Sequence, residues 1–373
     1  MKYTVRIPHR VVYSIGDAHG RGREVIETIQ RLEFRSMLRG ESHPAFVQLG
    51  DLCDGFAMPP NATDDDLRAT VHAKIDEMPD LAAVLHRDGN LFVDWRRDEG
   101  VRAKLSGHEL LNTTDHDILV ALFQAVRCFE TLKLFCLFQK SHEFYVTFGN
   151  HDGDLLRGGC AYGRQQKYIL LGLLGLSPDA VIAHMTEGRT RRVLRNPWLN
   201  WLYHCPHIVM SADTVYMHGG PTGAISERLA REGSDGFTTW IDELDSARRN
   251  GLRDIAFAEH ECFLSPDGAP NDWTLRPDRI SDFLHAAGRK YLAVGHSPFL
   301  DYEKGPKLDL EHATDEMRHH FTTPGQLAPE GRLIKQDTDM KRTGGLWVCR
   351  HEVGTDTWTA FDADLHETPL RRG

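Results

Sequence analysis

Five times along this 373-residue chain, a short run of β-branched and aromatic residues ends in a glycine beside an Asp, Asn or His. The runs are Val11-Val-Tyr-Ser-Ile-Gly-Asp-Ala-His19, Ala45-Phe-Val-Gln-Leu-Gly-Asp51, Phe144-Tyr-Val-Thr-Phe-Gly-Asn-His-Asp152, Thr214-Val-Tyr-Met-His-Gly-Gly220 and Lys290-Tyr-Leu-Ala-Val-Gly-His296. A near-continuous apolar run of this length is what a strand buried on both faces requires. Helical periodicity alternates with the runs. Gly22 to Arg35 places Val25, Ile26, Ile29 and Leu32 on one face, and Ile118 to Phe138 carries apolar residues at helical spacing with Arg127, Glu130 and Lys133 outside. Strands alternating with helices predict an α/β fold. In such sheets ligands bind beyond the carboxyl ends of the strands, which is where all five Gly-polar pairs fall.

The chain reads as one domain over 1–373, interrupted by an insertion at 58–117. That interval opens with Pro59-Pro60 and Asp64-Asp65-Asp66, and its 13 acidic and 7 basic residues supply −6 of the net charge of −10. It is expected to form an inserted, mostly helical, acidic cap. A second inserted loop is expected from Asp301 to Gly331, rich in Pro, Gly, His and charge.

Charge and hydropathy exclude several classes of function. A net −10 is the wrong sign for a protein that gains affinity by neutralising phosphates along a nucleic acid, so nucleic acid is not an expected partner. The longest nearly uncharged apolar stretch, Tyr168 to Leu176, is about half of the roughly 20 residues a membrane-spanning helix needs, so no membrane span is expected. Seven cysteines without a C-x-x-C pair indicate neither a disulfide framework nor a cysteine zinc site. With no export signal in Met1 to Arg10, the expected location is the cytoplasm.

The polar residues at the five strand ends are Asp17 and His19, Asp51, Asn150 and His151, His218, and His296. Carboxylate, amide and imidazole together suit divalent Mn, Fe or Zn better than calcium or a soft thiolate-loving ion. With Asp51 shared, one ion would take Asp17, His19 and Asp51, and a second would take Asp51, Asn150, His218 and His296. Two ions about 3.5 to 4 Å apart can lower the pKa of water from about 15.7 towards roughly 7 and stabilise phosphoryl oxygens during in-line displacement. His151 is then free to protonate the departing oxygen, and Asp54 can hold its protonated form.

In order, Gly16-Asp-Ala-His-Gly20, Gly50-Asp-Leu-Cys-Asp54, Gly149-Asn-His-Asp152, His218-Gly-Gly220 and Gly295-His296 resemble the motifs of the PPP-type metallophosphatases. These are calcineurin-like phosphoesterases, which include the serine/threonine protein phosphatases. Gly295-His-Ser-Pro298 in place of Gly-His-x-His favours the PPP or diadenosine-polyphosphatase branch over the phosphodiesterases. The resemblance implies an α/β sandwich of two central β-sheets flanked by helices, a dinuclear centre with Asp17, His19, Asp51, Asn150, His218 and His296 as ligands, and His151 with Asp54 as the acid pair. Ile334 to Met340 and Gly344 to Val348 resemble the closing strands of that fold.

Three departures bear on substrate. Gly55 stands where the family usually places an Arg that grips phosphate, and no neutral residue reproduces a bidentate guanidinium. Arg157, Arg164 and Arg276 are the candidate replacements, Arg276 at the place of the family's second phosphate-binding Arg. Asp152 replaces a common Glu, and the 58–117 insertion is absent from compact protein phosphatases. The leading expectation is a phosphomonoesterase acting on phosphorylated protein side chains, serine/threonine or tyrosine. A nucleotide or dinucleoside-polyphosphate hydrolase and a non-catalytic metal-binding module stay open beside it.

Overall fold

The computed structural model describes residues 4–41, 43–53, 62–96, 100–158, 164–187, 190–221, 223–250, 277–295, 324–327, 331–336 and 345–370. All five runs are strands: β2 (Val11–Ile15), β3 (Ala45–Gln48), β6 (Phe144–Val146), β8 (Thr214–Met217) and β9 (Tyr291–Val294). They divide between two mixed six-stranded sheets. Sheet 1 has the order β1-β7-β8-β9-β11-β10, with β1 at Thr4–Arg6, β7 at Ile208–Met210, β10 at Gly325–Leu327 and β11 at Leu333–Lys335. Sheet 2 has the order β14-β13-β12-β2-β3-β6, with β12 at Val348–Glu352, β13 at Trp358–Phe361 and β14 at Glu367–Pro369. β2, β3 and β6 are mutually parallel, as are β8 and β9.

Alternation along the strands builds a layered sandwich. Val12, Ala45 and Val47 of sheet 2 meet Val209, Tyr216, Ala293 and Ile334 of sheet 1 in one apolar layer. The opposite neighbours, Tyr13, Ile15 and Phe46, turn outward into the larger core beneath α1 (Gly22–Leu38) and α5 (His116–Phe138). Strands covered on both faces explain why their sequence runs are apolar throughout. The expected α1 face of Val25, Ile26, Ile29 and Leu32 is buried.

α5 departs from expectation on its polar face. Arg127 and Glu130 are buried, at 8% and 1% exposure, instead of facing solvent. The cause is α2 (Asp64–Glu77) of the inserted segment, which lies over them and brings Lys74 within 3.0 Å of Glu130. The segment also holds α3 (Pro79–Leu85), a hairpin of β4 (Asn90–Arg96) and β5 (Gly100–Ser106), and α4 (Gly107–Leu111). The start of α1 abuts Thr131, and Glu33 near its other end faces His142 just past α5, so the two helices run parallel. Residues 116–127 of α5, roughly 16 Å at 1.5 Å per residue, therefore continue past the carboxyl ends of sheet 2. The insertion packs there, through Asp64 on His116 and Arg68 on the Thr113 carbonyl.

At the opposite end of the molecule, a partly buried polar tether joins the two sheets. Asp213, in the turn between β7 and β8, accepts from His351 Nε2 on β12 at 3.0 Å and from the Gly354 amide at 2.7 Å. The His351 ring stacks on Trp358, with centroids 4.2 Å apart. Although burial opposes its charge, the bonds from His351 and Gly354 hold the Asp213 carboxyl at about 2. Its contribution is fully present above the unfolded value of about 3.9 and is lost as pH falls through about 2. After screening at this partly exposed site the contribution is about 1–2 kcal/mol. Asp213→Asn is expected to lower stability by that amount at pH 7 and to flatten the loss between pH 4 and 2, as read by urea melts at each pH. An unchanged slope would refute the assignment.

Candidate metal centre

The carboxyl ends of β2, β3, β6 and β8 bring Asp17, His19, Asp51, Asn150, His151 and His218 together. The loops reach this place through left-handed backbone: Gly20, Gly50 and Gly220 have φ of +79°, +86° and +85°, and His19 and Asp51 themselves sit at +40° and +50°. Close approach matters as much as turning. A Cβ on Gly149 would lie 2.2 Å from the Asp51 amide nitrogen, and one on Gly50 would lie 2.6 Å from His218 Nδ1. Gly50 and Gly149 are thus places where one loop of the cluster rests on another.

Two residues the sequence reading did not single out for positioning hold these loops. Gln48 is fully buried, donates to the carbonyls of Gly16 and Gly50, and accepts from the Gly50 amide. Its signal is visible in retrospect as the one amide in the apolar run from Ala45 to Leu49. Asp152 accepts from the amides of Leu52 and Gly149 at 2.9 and 3.0 Å, tying the second motif to the third. Burial, then the neighbouring Asp51 charge, raises its carboxyl to about 7.

The candidate ligand atoms form two groups that share Asp51. Asp17, His19 and Asp51, all buried, each offer a donor within 4.8 Å of the others. On the other side, His218 Nε2 lies 2.9 Å from Asn150 Oδ1 and 3.3 Å from Asp51 Oδ2. Donors about 3 Å apart are spaced as neighbouring ligands around an ion with bonds of about 2.0–2.2 Å, so His218, Asn150 and Asp51 are spaced to share a cation, and Asp17, His19 and Asp51 are a second set that could hold one. His218 Nδ1 meets the Leu49 carbonyl at 2.6 Å, which orients the ring and leaves Nε2 for a ligand role. Burial opposes charge on His218, but Asp51 and Asp17 outweigh it and push the imidazole up to about 10. Burial likewise opposes charge on Asp51, yet His218 and His151 hold its carboxyl well below the usual range. A cation held at His218 Nε2 requires the neutral imidazole, so metal binding and protonation would compete there.

His151 is placed differently from the ligands. Its amide donates to Asp51 Oδ1 at 3.0 Å, its Nε2 is 3.8 Å from Asp51 Oδ2, and its ring meets that of His19 edge-on at 5.8 Å. Its side chain is 23% exposed against 5% or less for Asp17, His19, Asp51 and His218. It stands at the mouth of the cluster.

Of the remaining candidates, Asp54, His296 and Arg276 lie outside the described residues, as does Gly55. Gly295, which precedes His296, rests against Asp17: a Cβ there would lie 2.3 Å from Asp17 Oδ1. Arg157 closes helix α6 (Asn150–Arg157), whose first residues are Asn150 and His151, and donates to Asp154 at 2.7 Å. Arg164 opens α7 (Arg164–Leu173) and places its guanidinium 4.7 Å from the Trp95 ring centroid of the insertion hairpin. The five cysteines among the described residues are buried, and no helix of the described residues is long and apolar enough to cross a membrane.

Solved structures with some likeness to this chain include a cold-active protein-tyrosine phosphatase of a psychrophilic Shewanella species. It is 13% identical, with a TM-score of 0.46, and the match covers 100% of this chain and 83% of that one. A point mutant of a cold-active protein tyrosine phosphatase is 14% identical at the same score and coverage. A candidate diadenosine tetraphosphatase is 12% identical, with a TM-score of 0.37 and full coverage of both chains. No family model matches the chain, and no curated protein does.

Proposed function

We propose that this chain is a metal-dependent phosphoesterase of the calcineurin-like type that hydrolyses phosphomonoesters, with phosphorylated protein side chains as its substrate class. The observation that carries the reading is Asp51, one buried carboxylate common to two converging ligand groups. Asp17 and His19 would hold one divalent cation, Asn150 and His218 the other, with Asp51 between them. Mn, Fe or Zn bound there would polarise phosphoryl oxygens and acidify water.

The chain's own groups supply the rest. The Leu49 carbonyl fixes the His218 ring, and Gln48 and Asp152 hold the loops in register so that the ligands need not reorganise. His151, at the mouth and braced through its amide on Asp51, is placed to deliver a proton to a leaving oxygen. Purified protein with added manganese is expected to release phosphate from an aryl phosphate. Absence of turnover with Mn, Fe, Zn and Ni would overturn the reading.

A second reading, hydrolysis of nucleotides or dinucleoside polyphosphates, is favoured by Gly55 at the place of the usual phosphate-gripping Arg. Phosphopeptides compared with dinucleoside polyphosphates at equal concentration decide between the two. A wide preference for the nucleotides would replace the first reading with the second.

A further inference from the structure

The ligand His19 sits in a backbone conformation, φ +40°, that costs an L-residue roughly 1–2 kcal/mol and persists only where its surroundings hold it. One side of the grip comes from the loop after β3: the amides of His19 and Gly20 donate to the carbonyls of Asp51 and Leu52 at 2.8 and 3.0 Å. The other side comes from α5. The three residues that open α1 each bond to it: the Gly22 amide to Thr131 Oγ1 at 2.9 Å, Arg23 Nε to Glu130 at 2.8 Å, and Glu24 to Arg127. Gly22 is pressed so close that a Cβ would lie 2.7 Å from Thr131 Cα.

Glu130 is the centre of this grip, and it is 1% exposed. A carboxylate so deeply buried needs compensating cations. Arg23 supplies one from α1. Lys74 of the inserted segment, 7% exposed, supplies another at 3.0 Å, and Glu77 of the same helix accepts from both Arg23 and Lys74. The insertion therefore completes a charge network whose far end is the first turn after Asp17-Ala-His19.

We propose that Glu130 and Lys74 are positioning residues for the metal centre: docking of α2 on α5 sets the start of α1 and so holds His19 in place as a ligand. This rests on the reading of Asp17 and His19 as ligands and assigns the 58–117 insertion a role in metal binding as well as any role in substrate access. Removing a residue that orients a ligand typically weakens metal affinity about 10- to 100-fold.

The test is manganese titration of the full metal-free chain by calorimetry, for wild type, Glu130→Gln, Lys74→Met and Lys74→Arg, with Asp213→Asn as a control destabilised far from the site. Kd is expected to weaken about 10- to 100-fold in Glu130→Gln and Lys74→Met, to recover in Lys74→Arg, and to stay at the wild-type value in Asp213→Asn. If Glu130→Gln does not fold, the two Lys74 variants carry the comparison. A Kd within about twofold of wild type in Lys74→Met, with Tm lowered as in the control, would overturn the proposal while leaving the metal reading intact. Wild type that binds no manganese would overturn both.

Discussion

Asp51→Asn is expected to abolish turnover, lowering kcat/KM by about 10³-fold or more, and to remove the thermal stabilisation that manganese gives the wild type. The choice of Asn isolates charge from shape. Asp51 has φ +50°, and Asn is among the few residues other than Gly that adopt this region readily. The amide oxygen can still accept from the His151 amide, as Asp51 Oδ1 does at 3.0 Å. What disappears is the negative charge that both ligand groups share, and stabilisation of charge at such a centre amounts to several kcal/mol. A ligand present at about 100 times its Kd stabilises the native state by about 2.7 kcal/mol, so the lost thermal shift is a large signal that needs no substrate. In the metal-free protein the substitution relieves Asp152 of a neighbouring like charge and leaves His218 with Asp17 as its remaining carboxylate partner, so the manganese shift is read against the variant's own metal-free Tm. Retained activity, or an unchanged manganese shift, would remove Asp51 from the centre of the proposed mechanism.

The strands and their ligand-bearing ends were legible because burial on both faces leaves a local mark. Val11–Ile15 and Ala45–Gln48 need apolar side chains for the inter-sheet layer and for the layer under α1 and α5 alike, so nearly every position reports the fold. Gly50 and Gly149 likewise advertise contacts that exclude a Cβ. What stayed hidden depends on partners distant in sequence. Arg127 and Glu130 fall on the polar stripe of α5 by periodicity, and nothing near them in the chain announces that Lys74 will cover that stripe. The β4–β5 hairpin was hidden within an interval dominated by charge, although Phe92 and Val93 are fully buried against the helices of the fold. The positioning role of Gln48 stayed hidden because its bond to the Gly16 carbonyl joins it to a loop that is distant in sequence and that only the assembled sheet brings near.

His151→Asn tests a separate step, and its effect should depend on the leaving group. The imidazole is 23% exposed while Asp17, His19, Asp51 and His218 are buried, and its amide, which anchors the residue to Asp51, is untouched by the substitution. A general acid contributes about 10²- to 10⁴-fold when the departing oxygen is basic. An alkyl phosphate, whose alkoxide must be protonated as it leaves, should lose kcat by that amount. A nitrophenyl phosphate, whose oxide departs readily without a proton, should lose far less. Manganese affinity should stay at the wild-type value, since the proposed ligands are Asp17, His19, Asp51, Asn150, His218 and His296, and His151 is not among them. Equal losses on the two substrates would mean that His151 acts before the bond breaks, as a binding or orienting group. A weakened manganese Kd would instead make it a ligand, and the division of labour between a buried cation cradle and an exposed proton donor would have to be redrawn.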